Sequence, residues 1–395
     1  MKRLLTIFGL IFLFLATSEA IAQDEIHFDQ SGYQSVLKRS QKEHKPIFYF
    51  IYANWCPHCT KMKDEVFKDS AVAAFMNKNF ICAMQDLEKG EGAFFKNKFQ
   101  VTVFPTFLFM DEYSTVLYRF NGEYQTANFL AEVQNVIIPE KQLPYLEKQF
   151  YADISNGDKC LAFLTTLKKG SERTELNSLA QKYFATKIDE QLISETNWKI
   201  IANGVSDIES RPFQYVLSHQ IEFAAVSSPK RVQKKMINIV TEFLQPYLQL
   251  PDTVSYYKKR PIAKSIHLLK TDSLIFRYDL LITERAENWH EYKKITLEST
   301  EKYVWNDASV LQEISQNYWV YVKDKSALKT AITWMQHARE LKESYEAELL
   351  LAKLYHKTSD FKSALTFAQK AKNRNAGFGF NTKEADGLLL QLGAK

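Results

Sequence analysis

The chain has 395 residues, of which 46% are hydrophobic and 25% are charged. It is long enough for roughly two or three domains and apolar enough to bury a core in each, which excludes a disordered chain. Four cysteines are too few for a disulfide-stapled scaffold, and 12 glycines favour long helices over a loop-rich all-β fold. The formal net charge of +5 comes from 51 basic and 46 acidic residues without a basic block, so nucleic-acid binding has little support.

The first 22 residues have the pattern of a secretory signal peptide. Residues 1–3 are a short basic start, residues 4–16 are almost wholly apolar, and Ala20 and Ala22 form an A-x-A-like cleavage site. The apolar run of about 13 residues is too short to span a bilayer comfortably, although a membrane anchor is the alternative interpretation. The sequence therefore predicts a signal peptide at 1–22 and a periplasmic or otherwise exported protein, with no stable membrane insertion after cleavage.

Residues 24–139 have the pattern of a compact α/β domain. An amphipathic segment at 31–45 predicts a helix, and the continuous apolar run at 46–53 predicts a strand buried on both faces of a sheet. This strand leads directly into the segment from Cys56 to Cys59. The remaining predicted elements are a helix with apolar positions from 62 to 76, a strand at 80–84, a strand at 101–110 interrupted by Pro105, a strand at 115–120 and a helix at 126–137.

The Cys-x-x-Cys segment lies at a predicted strand-to-helix junction, which favours reactive thiols. The helix dipole and its free N–H groups stabilise a thiolate at Cys56, which can attack a disulfide, and Cys59 can then resolve the mixed disulfide. Pro57 fits the first helical turn, where its missing N–H has no partner to lose. His58, when protonated, adds positive charge that lowers the pKa of Cys56. The segment therefore predicts thiol–disulfide chemistry.

At these residues the chain resembles the thioredoxin superfamily. The motif W-C-x-x-C begins at Trp55, and Phe104, Pro105 and Thr106 match the X-cisPro-Thr loop of the family. The resemblance covers residues 25–139. This segment is similar to an exported, Bacteroidetes-type thioredoxin-like subgroup. It implies that Pro105 is cis and lies against the cysteine pair, and that Trp55 shields the site. It also implies that Phe104, Pro105 and Thr106 line a groove whose backbone binds substrate in an extended conformation.

Two features of the sequence concern the redox properties of the cysteine pair. In thioredoxin a buried acid lies six residues before the first cysteine and helps to deprotonate the resolving thiol, and this position is Phe50 here. No acid replaces it within the strand. The Pro57-His58 dipeptide is that of strongly oxidising periplasmic oxidases, which favours an oxidising couple with a stabilised reduced form. The direction of exchange also depends on the potential of the partner.

The cysteines and their neighbours have alternative interpretations. A CxxC pair can be an inert structural disulfide or half of a zinc site, but no second ligand pair has zinc-site spacing. His58 could be a solvated helix residue only, and Pro105 an ordinary edge-strand proline. Cys82 lies in an apolar strand as a buried inert thiol, and Cys160 could pair with Cys82 or stay free. The predicted chemistry needs no metal, flavin or nucleotide, only the redox-active disulfide.

The rest of the chain is predicted to be α-helical. Residues 140–305 contain repeated amphipathic segments without a catalytic constellation, and residues 306–395 carry an internal repeat. Ala331 and Ala364 lie 33 residues apart, as do three further pairs of matching positions, a period that resembles the tetratricopeptide repeat. The resemblance implies helix pairs that form a concave surface for docking a peptide or protein, and the alternative is a packed helical cap.

These patterns together predict an α/β thioredoxin-like domain followed by an all-α, partly repeat-like helical domain. They predict an exported thiol–disulfide oxidoreductase that uses the Cys56–Cys59 couple, with a lean to an oxidising couple and the direction undetermined. The expected partners are cysteine-containing exported proteins and a redox-recharging protein, and not nucleic acid. The alternative function is a redox-inactive or redox-sensing scaffold that uses the helical region to hold a protein partner.

Overall fold

A computed structural model describes residues 25–171, 173–248 and 253–393 of the chain. The predicted signal peptide at 1–22 lies outside the described residues. Within the described ranges, no helix is both long enough and apolar enough to cross a membrane.

The described residues divide into two compact units. The first unit contains the residues up to Gln191 together with Lys199–Val205, and the second unit contains Leu192–Trp198 and the residues from Ser206 onwards. The first unit is built around a β-sheet flanked by helices, whereas the described part of the second unit is helical. The predicted order of an α/β domain followed by a helical region is therefore confirmed.

A five-stranded mixed sheet forms the centre of the first unit. Its strands are β1 (Phe28–Asp29), β2 (Ile47–Tyr52), β3 (Ile81–Asp86), β4 (Thr106–Met110) and β5 (Val116–Asn121). Their spatial order is β1-β3-β2-β4-β5, so β2 is the central strand. Strands β1 and β2 run parallel to β3, whereas β4 is antiparallel to both β2 and β5.

Helices cover both faces of this sheet and continue beyond it. The helices are α1 (Tyr33–Glu43), α2 (Pro57–Lys61), α3 (Ser70–Asn79), α4 (Gly92–Phe99), α5 (Thr126–Val136), α6 (Leu143–Ala152), α7 (Gly157–Leu167) and α8 (Arg173–Phe184). Short 3₁₀ turns occur at Pro139–Lys141 and Asp189–Gln191.

Side chains of β2 alternate between two apolar cores. Phe48 and Phe50 pack in one core with residues of α3 and α5, whereas Tyr49 and Ile51 pack in the other with residues of α1 and α4. None of the four is more than 2% exposed. Because side chains of a strand point alternately to opposite faces, a central strand with both faces covered must be apolar at every position. The strand predicted at 46–53 to be buried on both faces is confirmed.

The helix predicted from 62 to 76 is interrupted in the structure. Helix α2 passes into a π-helical turn at Met62–Val66, and α3 begins separately. Asp69 lies between them, and its carboxylate accepts the first amide groups of α3 at 3.0 and 3.1 Å. An aspartate that caps a helix in this way takes an extended backbone conformation, so the preceding helix cannot continue through it.

The strand predicted at 101–110 is shorter than expected. Only Thr106–Met110 pairs with the neighbouring strands, and residues 101–105 form an irregular loop. Pro105 ends the pairing because it has no N–H to donate to a strand ladder. The predicted strand was therefore too long at its N-terminal end.

The first unit continues past Pro139, beyond the segment that carries the sheet. Helix α6 contacts β5, and the amide of Asn121 donates to the carbonyl of Lys169 at 3.0 Å. The ammonium of Lys169 contacts the Glu132 carboxylate at 2.5 Å and the Tyr118 hydroxyl at 2.7 Å. These contacts attach α7 and its following loop to the edge strand β5.

Consecutive helices form the rest of the described chain. Helix α9 (Glu195–Gly204) contains the division between the units, and the helices that follow are α10 (Arg211–Ser218), α11 (Gln220–Ala225), α12 (Pro229–Leu248), α13 (Thr253–Lys264), α14 (Leu269–Arg285), α15 (Trp289–Val304), α16 (Ala308–Tyr321), α17 (Lys325–Leu341), α18 (Tyr345–Lys357), α19 (Phe361–Gly377) and α20 (Lys383–Gln391). Helix α16 packs on α17, and α18 packs on α19. Ala331 of α17 and Ala364 of α19, the predicted repeat positions, are both fully buried, because small side chains allow such helices to approach closely.

Candidate active site

The two cysteines of the CxxC segment lie where the central strand β2 meets helix α2. Cys56 is the N-cap residue of α2, and its sulfur accepts a hydrogen bond from the Cys59 amide at 3.3 Å. Pro57 is the first helical residue, where no backbone hydrogen bond is lost. Cys56 is 4% exposed and Cys59 is 1% exposed. The local sequence therefore holds both thiols within one helical turn, with Cys59 on the inner side.

The environment of Cys59 keeps its thiol protonated at neutral pH. Burial raises the pKa of Cys59 to about 12, and its hydrogen bond with Cys56 acts in the same direction. A buried thiol is harder to ionise because the thiolate loses its hydration. This environment suits a resolving thiol, which has to react only after the outer cysteine has formed a mixed disulfide.

A loop with a cis peptide bond between Phe104 and Pro105 precedes β4. The predicted cis conformation of Pro105 is confirmed. The Pro105 carbonyl accepts the amide of Gly122 at 2.9 Å, which ties the loop to the end of β5. The Thr106 side chain is fully buried, and its hydroxyl is hydrogen-bonded to the Val103 carbonyl at 2.8 Å, so it holds the loop from inside.

Trp55 and Phe104 come together from the two motifs. Their rings meet edge to face, with centroids 6.0 Å apart, and Trp55 is 67% exposed. The indole N–H of Trp55 donates to the Glu88 carboxylate at 2.8 Å, which orients the ring. The exposed Trp55 ring and the partly buried Phe104 ring form an apolar surface next to the CxxC segment.

His58 forms part of a charged network that the sequence did not predict. Its Nδ1 lies 2.6 Å from one oxygen of Glu123, and the ammonium of Lys61 lies 2.5 Å from the other oxygen. Hydrogen bonds first from Lys61 and then from His58 hold the pKa of Glu123 below its usual value. The negative charge of Glu123 is therefore present beside the CxxC segment at neutral pH and competes for the positive charge of His58.

The sequence pattern of this domain matches a known protein family. Residues 33–137 match the family described as a thioredoxin-like domain. This range contains the CxxC segment, the cis-proline loop and the strands β2 to β5. The chain therefore contains a thioredoxin-like domain. Its thioredoxin-like domain lies within the first unit, and the family match does not extend into the second unit.

Three curated proteins are similar to parts of this chain. Spermatogenesis-associated protein 20 of Mus musculus is 36% identical over 56 residues, which are 14% of this chain and 7% of that protein. Protein disulfide-isomerase A5 of Bos taurus is 26% identical over 125 residues, 31% of this chain and 23% of that protein. The disulfide bond reductase DsbH of Chlamydia pneumoniae is 27% identical over 102 residues, 23% of this chain and 61% of that protein. The chain thus spans less than two thirds of each relative.

Two solved structures are similar to about three tenths of this chain. A proposed disulphide-isomerase from Bacteroides thetaiotaomicron is 34% identical, and the match covers 29% of this chain and 95% of that one, with a TM-score of 0.28. A DsbH oxidoreductase is 24% identical, and the match covers 31% of this chain and 92% of that one, with a TM-score of 0.27.

The other two cysteines are buried free thiols. Cys82 is 3% exposed in β3, and Cys160 is fully buried in α7. Burial raises the pKa of each to about 12, so both stay protonated at neutral pH. Neither is paired, with the other or with the CxxC cysteines. These environments agree with the interpretation of Cys82 as an inert core thiol.

Metal binding has no candidate in the described part of the chain. Across residues 25–171, 173–248 and 253–393, no three His, Cys, Asp or Glu side chains are grouped so that they could hold a metal ion.

The site residues that were predicted from local motifs lie together. The residues that the sequence analysis missed are distant in the chain or lie one helical turn from a predicted residue. Trp55 to Cys59 and the loop at Phe104 converge at one end of the sheet. Glu123 was missed because it lies 65 residues from His58 and follows the glycine that ends β5. Lys61 could have been found, because it lies three residues after His58 and such residues share a helix face.

Proposed function

We propose that the chain is an exported thiol–disulfide oxidoreductase that exchanges disulfides with the cysteines of other exported proteins. The observation that carries the proposal is the hydrogen bond from the Cys59 amide to the Cys56 sulfur at the start of α2, because a backbone donor to this sulfur favours the thiolate that disulfide exchange needs. The cis-proline loop at Phe104 and Pro105 supports it. Relatives named as a protein disulfide-isomerase and a disulfide bond reductase point to the same chemistry.

In the proposed reaction Cys56 is the nucleophile and Cys59 is the resolving thiol. The Cys56 thiolate attacks a substrate disulfide, which forms a mixed disulfide and releases the first substrate sulfur. Cys59 then attacks the Cys56 sulfur, so the intramolecular disulfide forms and the second substrate sulfur leaves. Two electrons pass from the cysteine pair to the substrate. The reaction runs in reverse when the pair starts as a disulfide, and it uses no metal, flavin or nucleotide in either direction.

The substrate groove is proposed to lie between the two motifs. The exposed Trp55 and the partly buried Phe104 would supply its apolar surface, and Pro105 would present its backbone beside it. The buried Thr106 side chain fixes the shape of the loop and does not lie open to a ligand. An extended segment of substrate chain would add its backbone to this loop, which suits a range of cysteine-containing proteins because backbone contacts do not depend on sequence.

The proposed couple leans to the oxidising side because of the Pro57-His58 dipeptide. A protonated His58 stabilises the Cys56 thiolate and so favours the reduced form of the pair. A redox-recharging protein would restore the starting state after each cycle. The signal-peptide pattern places this reaction in the periplasm or another exported compartment, where disulfides persist. Mass spectrometry of protein recovered from that compartment should show a mature chain that begins after Ala22.

Disulfide exchange with purified protein tests the proposed function. Wild-type protein should reduce insulin disulfides and transfer disulfides to a reduced substrate, whereas the Cys56→Ser variant should do neither. The Cys82→Ser variant is the matched control, because it removes a thiol from the same domain that the mechanism does not use. Absence of both activities in the wild type, or full activity of Cys56→Ser, would refute the proposal.

Trapping of partners in the native cell identifies the substrates. The Cys59→Ala variant forms the mixed disulfide through Cys56 and has no thiol to resolve it. Exported proteins with cysteines should therefore be recovered in disulfide-linked complexes from cells that express Cys59→Ala, and not from cells that express the Cys56→Ser, Cys59→Ala double variant. Recovery of equal complexes from both would contradict exchange through Cys56.

A second candidate function is a redox-inactive or redox-sensing scaffold. One observation favours it, because Phe50 is fully buried at the position where thioredoxin has an acid. In this case the helices α16 to α19 would hold a protein partner. The scaffold is supported if a partner stays bound to the Cys56→Ser variant and the wild type has no exchange activity.

A further inference from the structure

The inner cysteine lacks the acid that thioredoxin uses beneath it. Phe50 is fully buried there, stacks on Tyr52 with centroids 5.4 Å apart and packs in the same core as Cys59. A carboxylate at this position would help to remove the proton from the resolving thiol. Burial raises the pKa of Cys59 to about 12, so a nearby positive charge would favour its thiolate when the cysteine reacts.

Lys63 is a cation that follows this thiol by about one helical turn. It lies four residues after Cys59, on the π-helical turn at Met62–Val66, and residues at this spacing are neighbours on a helix surface. Its ammonium lies 3.3 Å from the ring centroid of Tyr52 and 5.8 Å from that of Phe50. The two aromatic rings therefore hold the ammonium on the side of the sheet that faces α2.

Asp86 supplies negative charge next to the same rings. It pairs with Tyr52 across β2 and β3, so both side chains point to the same face of the sheet. Asp86 is 8% exposed, and the Asn54 side chain donates to it at 2.7 Å. The negative charge of Asp86 therefore favours the charged form of Lys63.

The charges around Lys63 come from three elements. Burial lowers the pKa of Lys63, whereas the negative forms of Cys59, Asp86, Asp64 and Cys56 raise it, in that order. In the opposite direction, the charge of Lys63 lowers the pKa of Cys59. The titratable groups that also line the opening beside Lys63 are Glu25, His27, Asp64 and Lys68.

We propose that Lys63 supplies the positive charge that stabilises the Cys59 thiolate during disulfide exchange, where Phe50 leaves no acid to do so. The inference rests on the proposed exchange through Cys56 and Cys59. Lys63 acts through Cys59 and does not touch the substrate, so it is a positioning residue. A nearby ammonium lowers the free energy of a thiolate relative to its thiol, and it does so most where burial has removed the competing water.

The same thiolate forms in both directions of exchange. When the pair is reduced, Cys59 gives up its proton to solvent and its sulfur attacks the Cys56 sulfur of the mixed disulfide. The Cys56–Cys59 bond forms, the bond from Cys56 to the substrate breaks, and the electron pair leaves on the substrate sulfur. In the opposite direction a substrate thiolate attacks Cys56, and Cys59 leaves with the electron pair. Lys63 stabilises Cys59 in both cases.

Timed reaction with oxidised glutathione separates the two steps. Reduced mature protein is mixed with excess glutathione disulfide, quenched with acid and analysed by mass spectrometry, which distinguishes the mixed disulfide from the intramolecular disulfide. In the Lys63→Met variant the first step, attack by Cys56, should change less than about twofold. The second step, attack by Cys59, should slow about tenfold at pH 7, because one pKa unit is tenfold in thiolate fraction. Its pH profile should move about one unit to the alkaline side.

Two variants control for charge and for folding. Lys63→Arg keeps the positive charge and should restore most of the second step. Lys68→Met removes a nearby lysine whose side chain is 50% exposed and whose partner is Asp64 at 3.5 Å, and it should change neither step. Thermal unfolding of each variant shows that it is folded, and Lys63→Gln replaces Lys63→Met if the latter does not fold.

The outcomes distinguish this inference from the proposed function. A second step at the wild-type rate in Lys63→Met, or equal slowing in Lys63→Arg and Lys63→Met, would overturn the role of Lys63. Slowing of both steps by the same factor at every pH would also overturn it, because only a structural role has that effect. Failure of wild-type protein to form any mixed disulfide would instead refute the proposed function itself.

Discussion

Two buried carboxylates, one in each unit, have different partners. In the second unit Asp279 is 2% exposed and is bound by Arg260 through two nitrogens, at 2.6 and 2.5 Å, and by the Tyr256 hydroxyl at 2.7 Å. In the first unit Asp86 is 8% exposed and accepts hydrogen bonds from the neutral Asn54 side chain and from a backbone amide. One carboxylate is neutralised by its direct partner, and the other has neutral donors.

The difference shows how a buried charge is used in each unit. The charge of Asp279 is paired directly with Arg260, so this cluster holds α13 against α14. The charge of Asp86 has no such direct partner among its hydrogen bonds and acts on Lys63. A buried carboxylate that is paired with a cation thus has a structural role. A buried carboxylate that is held by neutral donors near a thiol can influence the ionisation of neighbouring groups.

Loss of the nucleophile should have the largest effect and should fall on the chemistry alone. The Cys56→Ser variant should lower the rate of mixed-disulfide formation with glutathione by at least about a thousandfold, because a hydroxyl is not ionised at neutral pH. Its free energy of unfolding, measured in urea, should stay within about 1 kcal/mol of wild type because the substitution is nearly isosteric. A large loss of stability would place Cys56 among the structural residues.

Loss of the Asp279 carboxylate should have the opposite effect, because it should lower stability and leave the exchange chemistry unchanged. The Asp279→Ala variant leaves the Arg260 charge buried without its partner, so we expect the second unit to lose about 3–5 kcal/mol of stability. Exchange activity per folded molecule should be unchanged. Urea unfolding and the glutathione assay measure the two quantities.

A surface ion pair is the control for this prediction. Asp307 binds Arg277 at 2.6 Å with both side chains about two-fifths exposed, and it caps α16. Asp307→Asn keeps the cap and removes the charge, and it should cost less than about 1 kcal/mol. Equal destabilisation by the Asp279 and Asp307 variants would contradict the distinction between buried and exposed pairs.

The buried Cys82 thiol should make the free energy of unfolding depend on pH. The pKa of Cys82 is raised by burial from its ordinary value of 9.0 to about 12 in the folded state. Between these values the unfolded chain loses the proton and the folded chain keeps it, so wild-type stability falls by up to about 1.4 kcal/mol per pH unit from this group. The stability difference between wild type and Cys82→Ala should therefore shrink as the pH rises above about 9.

Unfolding in urea with a phosphine reductant, at several alkaline pH values, measures this change. The Val72→Ala variant is the matched control, because it truncates a fully buried side chain of the same core without removing a titratable group. Its stability difference from wild type should not depend on pH. A constant difference for Cys82→Ala as well would show that the thiol ionises equally in both states.

The smallest expected effect concerns Glu123. Glu123→Gln keeps the shape of the side chain and removes the charge that binds His58 and Lys61. The Lys61 ammonium, and the His58 ring where it is protonated, then act on the Cys56 thiolate without the opposing carboxylate, so the couple should become more oxidising by about two- to tenfold in its equilibrium constant with glutathione. An unchanged constant would show that Glu123 does not compete for the charge of His58.

The pH dependence of this effect follows from the lowered pKa of Glu123. The carboxylate stays charged from neutral pH down through its usual value and loses its charge only at lower pH. Wild type and Glu123→Gln should therefore differ near neutral pH and converge as the pH falls below the lowered pKa of Glu123. Glutathione equilibria at pH 7 and at acidic pH, with Glu88→Gln as a control at the Trp55 side of the site, measure this.

The fold was predictable where a local pattern has one physical meaning. The apolar run at 46–53 could only be a strand covered on both faces, and it is the central strand. The start of β4 and the break between α2 and α3 were not predicted, although Pro105 and Asp69 are local signals for both. The apolar pattern continues across both residues. In the prediction it outweighed the capping role of Asp69 and the missing N–H of Pro105.

The site was predictable only as far as its motifs. Trp55, Cys56 and Pro105 belong to motifs with recognisable spacing, and the cis bond before Pro105 follows the family pattern. Asp86 ends β3 and Glu123 follows β5, so the nearness of both to the cysteines depends on the register of the sheet. No single-sequence pattern encodes this register, because it results from packing of both cores together.

The central position of β2 has a consequence for hydrogen exchange. Its residues Ile47–Tyr52 pair with β3 on one side and β4 on the other, and both faces are covered. Amides in such a strand exchange with deuterium only when the whole domain opens. The CxxC segment is attached to the end of this strand, in the part of the domain that opens last. Oxidation or reduction of the pair should therefore change the slowest-exchanging amides of the domain, and not only those of the active-site loop.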